Sequence, residues 1–323
     1  MMIFLRRSVL ILTFLGVALL MVMDVVLPRY LEKRLPAWAA ESGFPGLHCE
    51  VRRVGLSGAD LGQVVLGEDS DRPVLRCASV QISYTPSGLL NKTVENVHVG
   101  GLSLTLFRSE AGWQAQGLPF GAASSNGLAG ENSDFQLPLH VKGVTLSASE
   151  VIFVDKASVF RLPVELQARM PTQERIDGTM VLSPFGDPVR LAAAVDLAEK
   201  SVSGRVGAAR LPLRHLAALL DFPCDLLPSG RAGFEASFDV GLAPFRVRAG
   251  DGRFVLHNPH WEKAGLAWTG DDPFVVQAAL EGEKVRINMT PITFEGPVSG
   301  VLDMKDAMVE ITPHPRFSGL WSL

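Results

Sequence analysis

Two imidazoles come close together only at His257-Asn-Pro-His260, with Glu262 just beyond. A metal centre needs three or four ligands in fixed geometry. No cysteine, aspartate or third histidine lies nearby in the sequence, so the tetrapeptide reads as a solvated turn between strands. Asp251, Asp271-Asp272 and Glu281-Gly-Glu283 place carboxylates beside glycines, and turn chemistry accounts for them without acid–base catalysis. The three cysteines, Cys49, Cys77 and Cys224, are far apart and form no C-x-x-C. The expected reading is buried thiols acting as small hydrophobes; the alternative is that in an oxidising compartment Cys49 and Cys77, expected on neighbouring strands, pair and leave Cys224 free. The phosphate-cradling, dinucleotide-binding, nucleophile-elbow and H-E-x-x-H motifs are all missing. The expectation is therefore a protein with no catalytic residue, no metal and no cofactor.

What the sequence does carry is an anchor. Ser8 to Leu27 is apolar apart from Asp24 in its last third, and Arg6 and Arg7 precede it. Such a helix, at a rise of about 1.5 Å per residue, spans a hydrocarbon core of roughly 30 Å, with the arginines on the cytoplasmic side. A cleaved signal peptide is the rival reading. Its apolar region is shorter and ends in a small-x-small site, which Met21-Val-Met-Asp-Val-Val-Leu27 does not offer. After the span, Tyr30 and Trp38 stand among Arg29, Lys33 and Arg34, the pairing of aromatic and cationic residues found at membrane interfaces. Arg6, Arg7, Tyr30 and Trp38 are the expected membrane-interface residues.

Composition excludes some partners. With 30 basic and 34 acidic residues and a net charge of −4, no polybasic footprint for nucleic acid or an anionic membrane is present. Hydrophobic residues make up 47% and mean hydropathy is +0.22, so apolar surface beyond the anchor needs a destination. From Leu47 onward the hydrophobic period is two. Val80, Ile82 and Tyr84 alternate with polar residues, as do Leu102, Leu104 and Leu106, then Phe234, Ala236, Phe238 and Val240, then Val285, Ile287 and Met289. Each segment has one apolar and one wet face, the signature of antiparallel strands. Gly55, Gly58, Gly62, Gly67, Gly100-Gly101, Asp251-Gly252 and Glu281-Gly282 read as the punctuation of a meander. The best helix candidate after the anchor is Leu213 to Phe222, stopped by Pro223.

These signals predict a mainly β fold: an N-terminal transmembrane helix followed by an elongated, curved antiparallel sheet, either an open groove or a half-closed sandwich. The expected boundaries are a cytoplasmic tip at 1–7, the anchor at 8–27, an interfacial helix at 28–45, a first β unit at 46–116, a flexible linker at 117–136 and a second β unit at 137–323. Periodicity alone does not separate two apolar faces closed on each other from an apolar face left open for acyl chains.

The interfacial segment opening at Leu27-Pro28-Arg29, the stretches from Val54 to Gly67 and Val80 to Leu90, and the strand pair from Thr93 to Leu106 resemble the AsmA-like proteins, most closely their YdbH-like branch. The resemblance implies a protein of the bacterial inner membrane, single-pass, with a cytoplasmic N-terminus and a periplasmic body. It further implies phospholipid transport between inner and outer membrane along a β-groove that holds the acyl chains. Members of that branch are usually longer, so outer-membrane or periplasmic proteins are expected to complete a bridge. Val80, Ile82, Tyr84, Leu102, Leu104, Leu106, Phe234, Phe238, Val285 and Ile287 are the lipid-groove candidates. The alternative is an envelope assembly or scaffold factor for outer-membrane proteins, presenting free strand edges. A tethered hydrolase with a scattered triad is the third reading.

Overall fold

The computed structural model describes residues 26–41, 46–67, 73–109, 112–115, 140–155, 158–172, 174–213, 229–242, 245–263, 266–269, 273–281, 284–295, 300–310 and 317–322. The expected membrane span lies outside them except for its last two residues, as do Arg6, Arg7, Cys224 and the 117–136 linker. Among the described residues no helix is long and apolar enough to cross a membrane. The chain opens on helix α1, Leu27–Glu41, which packs against the first strand. Pro28 sits at its start, where a missing N–H costs nothing, and Pro36 interrupts its interior hydrogen bonding. Tyr30, Arg34 and Trp38 recur every fourth residue and so share one stripe. Arg34 lies over the Tyr30 ring at 5.8 Å, and Tyr30 and Trp38 are about half exposed, at 51% and 48%.

The fold is mainly β, and the chain divides into two compact units, 1–170 and 171–323. That division falls later than the 117–136 stretch. The first unit holds β1 (Leu47–Val54), β2 (Gly58–Leu66), β3 (Leu75–Ser83), the one-turn helix α2 (Pro86–Leu90), β4 (Thr93–Val94), β5 (Asn96–Ser109), β6 (Gly112–Gln114), β7 (His140–Val141), β8 (Gly143–Asp155) and β9 (Ser158–Thr172). Strands β1, β2, β3 and β5 pair antiparallel in sequence order. Strand β8 then joins β5 in parallel and β9 returns antiparallel.

One row of this sheet breaks the alternation in four adjacent strands at once. Gln63, Ala78, Gly101 and Ala148 occupy the same register position in β2, β3, β5 and β8, and three of them have positive φ (46°, 65° and 48° for Gln63, Gly101 and Ala148). Each adds one residue to its strand's phase, as a β-bulge does. The apolar positions therefore run Leu61 then Val64, Cys77 then Val80, Val99 then Leu102. Without the phase reset, half of each strand would turn its apolar residues to the other face. At Gly101 a Cβ would stand 2.9 Å from the Ala78 Cβ, so this row tolerates no side chain there.

The end of the sheet is tied by Tyr84. Its hydroxyl lies 2.7 Å from the Gly55 carbonyl and 3.1 Å from that of Gly58, closing the β1–β2 turn, and burial pushes its pKa up. Tyr84 was expected in the groove lining; its ring continues that face, but its polar end is committed to the turn. Tyr84→Phe should cost about 1 kcal/mol, the net worth of one such hydrogen bond. A denaturant titration of the two proteins checks this, and an unchanged midpoint contradicts the assignment.

The second unit holds β10 (Arg175–Leu182), β11 (Val189–Asp196), β12 (Ser201–Pro212), β13 (Ser229–Leu242), β14 (Phe245–Lys263), β15 (Leu266–Thr269), β16 (Phe274–Glu281), β17 (Lys284–Glu295), β18 (Gly300–Glu310) and β19 (Phe317–Ser322). It is an antiparallel meander, with β15 a side pairing to β14 and β17. Its sealed core is small: Leu213, Ala232, Leu256 and Phe274 are buried together, with Phe254, Val276, Met289 and Ile292 packed on them.

Several sequence expectations change here. Asp251-Gly252 and His257-Asn-Pro-His260 are not turns. They lie inside β14, a 19-residue strand, where Asn258 takes the irregularity with φ 50°. Gly62 and Gly100-Gly101 are likewise interior to β2 and β5. A glycine in a strand weakens it without ending it when flanking residues keep the ladder paired. Cys49 and Cys77 sit on β1 and β3, which β2 separates, and both thiols are free. Cys77 is buried at 1% exposure with its thiol donating to the Ser79 and Gly100 carbonyls. Of the expected helix from Leu213 to Phe222 only Leu213 is described, as a buried helical residue.

Candidate functional site

The pairing registers assemble the alternating strands into continuous apolar rows. In the second unit, Leu182, Val189, Ala208, Phe234, Phe254, Val276, Met289 and Met304 stand side by side on eight strands. The next row runs Met180, Leu191, Val206, Ala236, Gly252, Ala278, Ile287 and Ala307. No position in either row is polar. Beyond them lie Phe238, above Gly204, and Val285, paired with Leu280 and Val309. A Cβ on Gly204 would be 2.9 Å from the Phe238 ring and 2.5 Å from the Ala192 carbonyl oxygen, so the ring lies down onto the sheet and glycine makes room for it.

The first unit builds its rows the same way. Leu61, Val80, Val99, Leu146 and Leu166 form one, and Ala59, Ile82, Val97, Val144 and Ala168 the next. Past the bulged row come Val64, Cys77, Leu102, Ser149 and Val164, then Leu66, Leu75, Leu104, Val151 and Leu162, then Leu106 beside Phe153 and Phe160. Ser149, the one hydroxyl in these rows, is buried and donates to the Ser147 carbonyl at 3.1 Å, so it presents no free polar group.

Burial separates this face from an ordinary core. Val80, Ile82, Leu102, Leu104, Leu106, Phe234, Phe238, Val285 and Ile287 are all half-buried. A sandwich interior would seal such residues below a few per cent exposure. Here full burial is confined to patches such as the Leu256 cluster and Cys77. The side chains between them, such as Arg205, Glu235 and Gln277, project to the other face and are exposed. No family model, curated protein or solved structure matches this chain.

Nine of the candidates named from alternation lie in these rows, but most of the row positions were not among them. Met180, Leu191 and Val206 were missed because glycine and alanine between them dilute the pattern. Leu146 and Val151 were missed because the phase reset at Ala148 hides the period of β8, whereas Leu162 stands in the unbroken alternation Phe160, Leu162, Val164, Leu166 of β9 and was overlooked. The expected interface residues Tyr30 and Trp38 are exposed on one stripe of α1. Further exposed leucines stand at the end of the first sheet where Tyr84 closes the turn: Leu56 at 61%, Leu89 at 43% and Leu90 at 87%.

The chemistry the described residues offer is slight. No group of three or more His, Cys, Asp or Glu side chains converges on a point among them. His98 Nε2 and Ser147 Oγ meet at 3.1 Å across β5 and β8. A working dyad also needs a group that orients the imidazole and donors for an oxyanion.

Proposed function

We propose that this protein is a membrane-tethered, non-enzymatic lipid handler that carries phospholipid acyl chains along the apolar face of its open sheet, between the two membranes of a bacterial envelope. The observation that carries the reading is the run of wholly apolar rows eight strands wide, half-buried at all positions but Ala208 and Ala307. Such a face loses free energy to water at every strand unless it is covered, and an acyl chain recovers about 0.8 kcal/mol for each CH₂ it buries there. Because the rows offer no charge, the chains are held without selecting a headgroup. The stripe of Tyr30, Arg34 and Trp38 suits a helix lying at the inner-membrane surface, with the segment from Ser8 to Leu27 as the anchor. Native mass spectrometry of the full chain released from non-ionic detergent tests this. Stoichiometric phospholipid supports the reading, and a lipid-free chain of full β content refutes it.

A second reading, an assembly factor for outer-membrane proteins, draws on the strand edges. Among the described residues β19 pairs on one side only, and an open edge accepts a further strand. That function predicts a co-purifying polypeptide in place of lipid in the same measurement.

A further inference from the structure

The apolar rows have a counterpart on the reverse of the second unit's sheet. A cavity of about 560 Å³ is lined there by Arg205, Glu235, Ser237, Asp251, Arg253 and Arg286, and a neighbouring one of about 490 Å³ shares Arg205 and Glu235 but is also lined by residues of the apolar rows such as Leu191 and Val206. The register explains both. One reverse-face row runs Ala192, Arg205, Ser237, Asp251, Ala279 and Arg286, and the adjoining row runs Arg190, Gly207, Glu235, Arg253, Gln277 and Asn288. Ala192, Gly207, Ser237 and Ala279 are small and leave a floor, while the longer side chains beside them, arginines and carboxylates together, rise around it. At Gly207 a Cβ would already stand 3.1 Å from the Phe234 carbonyl oxygen, which keeps that part of the floor bare.

Four arginines face two carboxylates across the pair of cavities. Asp251 is engaged by the Ser237 hydroxyl, and Arg286 Nε stands 4.0 Å from Asp306. Among the described residues no ion pair within salt-bridge distance engages Arg190, Arg205 or Arg253. Elsewhere on this chain arginines do pair: Arg161 with Glu150 at 3.0 Å and Arg175 with Asp177 at 2.9 Å. An unpaired guanidinium presents several N–H donors in a planar fork and no acceptor, which matches a phosphate group bidentately. Gln277 and Asn288 add amide donors at the edge of the same trough.

We infer that this arginine-walled trough binds a phosphate ester, on the face opposite the apolar rows and independently of them. The phosphate belongs either to a soluble phosphoryl compound or to a lipid headgroup in a membrane surface; the chemistry of recognition is the same. Charge dominates such contacts, so binding weakens as salt rises.

The test uses the full chain in non-ionic detergent, titrated with inorganic phosphate and with glycerol phosphate by calorimetry. A second arm follows flotation of the chain with phosphatidylglycerol vesicles against phosphatidylcholine vesicles. Each arm is repeated with the double variant Arg205→Gln, Arg253→Gln and with Arg175→Gln as a control outside the two cavities. Both target side chains are exposed, so the variant keeps its fold, checked by circular dichroism. Saturable binding of a soluble phosphate that the double variant weakens at least tenfold and the control does not is the expected result for a soluble ligand. Preference for phosphatidylglycerol vesicles, lost in the double variant alone, is the expected result for a headgroup. No binding in either arm, or binding that the double variant retains, overturns the assignment. Phospholipid content on the apolar face is measured on the same samples and should not change, which separates failure of this site from failure of the lipid-carrying reading.

Discussion

Leu104→Asp and Leu191→Asp, made separately, should each lower co-purifying phospholipid at least tenfold while leaving the β content of the chain intact. Leu104 lies in the row Leu66, Leu75, Leu104, Val151 and Leu162 of the first unit, and Leu191 in the row from Met180 to Ala307 of the second. Both are half-buried, so in the empty protein an introduced carboxylate reaches water and the stability cost is modest. Under an acyl chain the same carboxylate is stripped of water with no cation in the row to pair with, and an unpaired buried charge costs several kcal/mol. A tenfold loss needs only about 1.4 kcal/mol of that. The measurement is phosphorus and lipid mass analysis of the purified variants. If the variants unfold instead, these positions are sealed core; if they keep their lipid, the lipid lies elsewhere.

The largest stability effect is expected at Leu256→Ala. Leu256 is 2% exposed and packs with Leu213, Ala232 and Phe274, the cluster that closes one end of the second unit's apolar face. Ala232, at 0% exposure and directly opposite Leu256 in the ladder, is too small to collapse into the space left behind. Large-to-small changes at such sites cost about 2–5 kcal/mol. For a unit of this size that lowers the melting temperature by roughly 5–15 °C. Hydrogen exchange should show the loss spreading through β13, β14 and β16, with the first unit unaffected. A change below about 1 kcal/mol would mean that the cluster is not the keystone its burial indicates.

The fold class was legible because strands bury alternate residues, and a period of two survives wherever a strand stays regular. Phe234 to Val240 and Val285 to Met289 are regular, and their faces were read correctly. Local irregularity is what the period cannot carry. The reset at Gln63, Ala78, Gly101 and Ala148 is visible only once the register aligns four strands, since each residue alone reads as noise or as a turn. Glycines misled for a related reason: Gly252 and Gly100 sit in strand interiors, held by ladders on both sides, and composition alone does not show those partners. The alternative pairing of Cys49 with Cys77 is set aside because β2 lies between their strands, and Cys77 is the buried thiol the composition favoured. The arginine trough was illegible for a different reason. Arg190, Arg205, Arg253 and Arg286 are separated in sequence and meet only through cross-strand register, so no local motif could announce them.

The most direct test of the lipid-carrying account is a photo-crosslinking ladder in the full chain, expressed in a bacterium with a two-membrane envelope. Benzoylphenylalanine replaces Leu104 and Phe238 on the apolar face, and Ser103 and Asp239 next to them on the reverse. The account predicts phospholipid adducts at Leu104 and Phe238 and none at Ser103 and Asp239. Adducts of equal yield on both faces, or protein adducts alone at Leu104 and Phe238, would contradict it.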